Sequence, residues 1–76
     1  MAHYLDAEIA ALSDKCDSIT AEEKGARMYR GAWGAARVVG RRVYFFEAAK
    51  AIQHMDMKTA REAKLAALEW VIKGLF

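Results

Sequence analysis

The chain has 76 residues, 55% of them hydrophobic, with twelve basic and ten acidic side chains that leave a formal net charge of +2. Hydrophobic content this high with so little net charge excludes intrinsic disorder, and the length fits one small domain over residues 1–76. A domain of this size buries only about 60% of the surface its unfolded chain exposes, so self-association into a homo-oligomer is expected to supply part of its stability.

The opening stretch MAHYLDAEIAAL lacks the basic start, long apolar run and small-residue cleavage site of a signal peptide, and Cys16 is the lone cysteine. Apolar runs such as Val43 to Phe46 fall far short of the roughly 18 residues a membrane span needs. A cytoplasmic protein without a membrane partner is expected. Leu5, Ile9, Leu12 and Cys16 recur at spacings of four, three and four, which predicts a helix over residues 3–15. The polar stretch Asp14 to Ser18 ends it, and Thr20-Ala21-Glu22-Glu23 reads as a capping box opening a second helix over 20–40. Along that segment Glu23, Arg27, Arg30, Arg37 and Arg41 share one narrow helical arc. Four glycines oppose the helix, at roughly 1 kcal/mol each relative to alanine.

A competing α+β reading places a β-hairpin at 35–46, with strands Ala35 to Val39 and Arg42 to Phe46 around Gly40-Arg41, because Val, Tyr and Phe favour strands. The helical reading is preferred here: the charge periodicity runs nearly twice as far, and Gly-Arg is not an Asn-Gly or Asp-Gly turn. Phe45, Ala48, Ala49, Ile52 and Met55 then mark a third helix over 43–54. Thr59-Ala60-Arg61-Glu62 is a second capping box, opening a fourth helix over 59–74 in which Ala60, Ala63, Ala67 and Val71 lie beside Leu65, Leu68 and Ile72, with Gly74 as its stop. The fold class predicted is therefore all-α, a small bundle of four short helices. Trp33 and Trp70 are expected to be mostly buried in it.

Charge is distributed unevenly. Residues 1–23 carry six acids against Lys15, a net −5; residues 24–42 carry Lys24 and five arginines with no acid, +6; residues 43–76 net +1. Such a block bears on association rather than on fold. Arg27, Arg30, Arg37, Arg41 and Arg42 are the candidate partner-binding residues, on a stripe of about 21 Å suited to bidentate contact with phosphate or carboxylate. The partner implied is an acidic protein surface or nucleic acid, with Tyr29 and Trp33, and Tyr44 to Phe46 nearby, as aromatic contacts for stacked bases. The alternative weighed against any partner is that Asp6, Glu8 and Asp14 fold onto the stripe within one protein, each exposed pair contributing about 0–1 kcal/mol.

Residues 47–65 also overlay weakly on a helix-turn-helix whose second helix carries Arg61 and Lys64 after Lys58, the DNA contacts of a dimeric transcriptional regulator. For catalysis the inventory is poor: His3, His54 and Cys16 stand in no paired ligand motif, the glycines form no phosphate loop, and Cys16 has acidic neighbours. Neither cofactor nor metal is implied. The function expected is that of a small non-enzymatic regulatory protein, an inhibitor or adaptor of the phage or mobile-element type, docking on a larger protein or nucleoprotein through its basic face.

Overall fold

Alternation of side chains, rather than helical periodicity, governs the middle of this chain. The computed structural model describes residues 3–47 and 50–74. Helix α1 (Tyr4–Ser13) is followed by strands β1 (Ser18–Ala21), β2 (Arg27–Gly31), β3 (Gly34–Val39), β4 (Arg42–Glu47) and β5 (Lys50–Asp56), and then by helix α2 (Ala60–Lys73). The strands form one antiparallel sheet in the order β1-β2-β3-β4-β5, each pairing with its neighbour in sequence. The four-helix bundle is thus overturned: the fold is α+β, and the described residues of the two helices predicted at 20–40 and 43–54 are mainly strands, with one short 3-10 turn at Glu23–Gly25. The hairpin reading at 35–46 matches β3 and β4 closely. Ala48 and Ala49 of the predicted third helix lie outside the described residues.

The reasons are local. Arg42-Val-Tyr-Phe-Phe-Glu47 is a run of β-branched and aromatic residues in which Val43 and Phe45 are fully buried. The Gly40-Arg41 loop has Gly40 at φ 61°, the glycine-first geometry of a type II′ hairpin turn, which fits the twist of the flanking strands as well as Asn-Gly does. Periodicity misled because the arginine spacing on β2 and β3 coincides with a helical arc, while apolar Met28 and Phe46 on the outer face blur the two-residue alternation.

The terminal helices fall where their caps place them. His3 caps α1, its Nδ1 accepting from the Leu5 amide at 3.2 Å while its own amide donates to Asp6 Oδ2 at 3.2 Å. Thr59 caps α2 by accepting from the Glu62 amide at 3.1 Å, and Gly74 closes it. α2 packs on one face of the sheet and α1 packs against α2 on that same side, where Leu12, Tyr29, Ala36, Val38, Val43, Phe45, Ala63, Ala67, Leu68, Trp70 and Val71 make one core. Phe45 meets Trp70 edge-on at 5.7 Å and 76°, a pairing that contributes about 0.5–1.5 kcal/mol beyond burial. α2 lies against β2, β3 and β4. Gly31 allows a close approach of α2, since a Cβ there would stand 2.4 Å from the Val71 carbonyl oxygen. Among the described residues, no helix is long and apolar enough to cross a membrane.

Candidate partner-binding site

With both helices on one face, the register assigns the side chains of the other. Thr20, Met28, Arg37, Tyr44 and His54 are cross-strand partners in one row spanning all five strands, about 19 Å across. Ser18, Arg30, Ala35, Phe46 and Ala51 make a second row, and Val39, Arg42 and Asp56 a third. A bulge at β5, where Ile52 is the extra residue between the partners of Phe45 and Phe46, leaves Ile52 47% exposed at the sheet edge. The face therefore interleaves Arg30, Arg37 and Arg42 with Tyr44, Phe46 and His54.

Local contacts hold these groups in place. Arg37 donates through Nε to Glu22 Oε1 at 2.8 Å, and its guanidinium carbon stands 5.4 Å from the centre of the Phe46 ring. Because Glu22 follows β1 and Arg37 lies on β3, this bridge crosses β2, where Met28 is only 6% exposed although no helix covers it. Arg42 forks onto Asp56, Nε to Oδ1 at 2.6 Å and Nη2 to Oδ2 at 3.1 Å. Those bonds hold the Asp56 carboxyl below its usual range and raise Arg42 further above its own. Tyr44 and His54 face each other across β4 and β5 with ring centres 5.7 Å apart. Arg30 has no carboxylate partner among the described residues.

The predicted site residues do not share one face. Arg30, Arg37 and Arg42 lie together on the helix-free face. Arg27, paired with Val38, lies on the opposite face, and Arg41 sits in the β3–β4 turn, its carbonyl accepting from the Met57 amide at 2.8 Å. Tyr29 is a core residue, 2% exposed; burial pushes its phenol up, partly offset by Arg27 beside it. Trp33 is the reverse of the expectation, 61% exposed at the β2–β3 turn, tied to α2 by its amide donating to the Val71 carbonyl at 3.0 Å. The expected acid cover is also redistributed: Asp6 pairs with Arg61 at 3.0 Å on the helical side, and the first segment supplies Glu22, not Glu8 or Asp14, to the arginines.

The helix-turn-helix fails because 50–56 is a strand, so Lys58, Arg61 and Lys64 have no preceding helix to set them in a groove. The Tyr44–His54 row was not read from the sequence, because in the apolar run Val43 to Phe46 residue type does not separate the outward Tyr44 and Phe46 from the buried Val43 and Phe45. Among the described residues, no three His, Cys, Asp or Glu side chains gather as metal ligands would. No protein-family model, curated protein or solved structure matches this chain.

Proposed function

We propose that this chain is a small binding module, acting without catalysis, whose helix-free sheet face docks on an anionic macromolecule. The observation that carries this reading is the interleaving of Arg30, Arg37 and Arg42 with Tyr44, Phe46 and His54 on one open sheet face. Guanidinium groups meet phosphates, and aromatic rings accept bases of any sequence, so single-stranded nucleic acid is the partner this combination suits. A second reading, an acidic protein surface, rests on the Arg42–Asp56 fork, which displays a guanidinium in the geometry that grips a carboxylate. In that case the partner exchanges its own acids for Glu22 and Asp56. Self-association through the open β1 and β5 edges belongs to the same proposal.

Fluorescence anisotropy with a labelled oligothymidylate and, separately, a labelled polyglutamate peptide tests both readings. Three arginine contacts to a single strand give a log–log salt slope of about −2, a loss of roughly twentyfold in affinity between 50 and 200 mM salt. Arg30→Glu, which breaks no ion pair, lowers the affinity at least about tenfold with the fold unchanged. Affinity that is indifferent to Arg30→Glu assigns the face a purely structural role and ends the proposal.

A further inference from the structure

On the helix-bearing side of the sheet, at the end where the β1–β2 loop and the β3–β4 turn meet the first turns of α2, lies a cavity of about 230 Å³. Arg27, Tyr29 and Val38 form its sheet wall, Lys64 its helix wall, and Gly25 and Gly40 its rim. Its two charged lining groups are both cations, and no acidic side chain lines it. Arg37, Arg42 and Arg61 each have a carboxylate within 3.0 Å, whereas Arg27 and Lys64 have none in ion-pair range among the described residues. Two like charges lining one half-open cavity repel each other, and the apolar wall of Val38 and the Tyr29 ring reduces solvent screening on that side. The arrangement lacks only a counter-charge.

We infer that this cavity is a binding site for a small doubly charged oxyanion, a phosphate group, gripped by Arg27 and Lys64 with the Tyr29 hydroxyl at its wall. Arg27 supplies the planar fork and Lys64 the mobile point charge that together suit a tetrahedral oxyanion. The volume lies below the roughly 300–1,000 Å³ typical of drug-sized ligands, which favours inorganic phosphate or a small phosphomonoester over a nucleotide. The site is separate from the helix-free face, because Arg27 pairs in register with core residue Val38.

The test is a titration of the ¹⁵N-labelled protein at constant ionic strength with sodium phosphate, with ribose 5-phosphate, and with sodium acetate as the singly charged control. Saturable shifts are expected at the Gly25, Gly40 and Lys64 amides with a Kd of about 1 mM or tighter for at least one phosphate probe, and weaker binding of acetate. The relative affinities of the first two probes distinguish the free ion from the ester. Arg27→Gln and Lys64→Gln, neither removing a core side chain, each weaken binding at least about tenfold with amide dispersion retained; Arg30→Glu leaves it within about twofold. Unsaturable shifts up to about 10 mM of both phosphate probes, or unchanged affinity in both glutamine variants, overturn the assignment.

Discussion

Replacing Gly31 by alanine tests how tightly α2 is seated on the sheet. An ideal Cβ at Gly31 stands 2.4 Å from the Val71 carbonyl oxygen and 2.8 Å from its carbon. Ordinary C···O contact needs about 3.3–3.6 Å, so the last turns of α2 must retreat by about 1 Å. They cannot do so freely: Val71 is fully buried, and its carbonyl accepts the Trp33 amide at 3.0 Å. Overpacking of this kind costs about 1–3 kcal/mol, and a weakened hydrogen bond adds about 0.5–1.5. The expected loss is about 2–4 kcal/mol, a large share of the roughly 4–11 kcal/mol available to a domain of this size. Urea denaturation followed by circular dichroism measures it as a lower midpoint at similar slope, and the melting temperature drops by about 10 °C or more. Gly40→Ala is the control, because its Cβ enters open space and only the positive φ is strained, at about 1–2 kcal/mol. A Gly31→Ala protein within about 0.5 kcal/mol of the parent, or less affected than Gly40→Ala, refutes the close seating of α2.

Other consequences follow from the side chains already described. Asp56 and Asp6 have carboxyls held below 3.8 by Arg42 and Arg61, so their contribution to stability is present above that pH and is lost as pH falls through the lowered values. Asp56→Asn therefore flattens the acid limb of the stability profile measured by urea midpoints, an effect that 1 M salt diminishes because the pair is exposed. Tyr29 shifts the other way: its raised phenol keeps its proton in the folded state after the unfolded chain has lost one, so stability declines as pH rises beyond 10.0. Absorbance titration should show the Tyr29 phenol ionising above its ordinary range, a shift that denaturation abolishes. Of the two tryptophans, Trp33 alone is accessible, and Trp33→Phe removes most of the acrylamide-quenchable emission while the Trp70 emission remains.

How far the fold was legible in the sequence depended on what each segment's pattern encodes. α1 and α2 were read to within about two residues because an apolar stripe agrees with a boundary signal at each: Leu5, Ile9 and Leu12 before a polar break, and Thr59 with Glu62 at the start of α2. The sheet was misread where its two faces are chemically alike. Met28 and Tyr29 are adjacent and both buried, so β2 shows no alternation, and its arginines happen to recur at helical spacing with those of β3. β5 is exposed along nearly its whole length, so burial leaves almost no imprint on it. For the candidate site, the residue types were legible and their grouping was not: once the strands pair, Arg27 and Arg41 leave the set, and Tyr44 and His54 join it through a register that only long-range pairing creates.

Backbone amide mapping with a single-stranded oligothymidylate at low salt tests the central claim most directly, since it reports which face is touched. The account predicts saturable shifts along the rows of Arg30, Arg37, Tyr44, Phe46 and His54, with α1 and α2 unmoved and the shifts lost in Arg30→Glu. Shifts confined to the helices, or none on β2 to β4 with either the oligonucleotide or the polyglutamate peptide, contradict it.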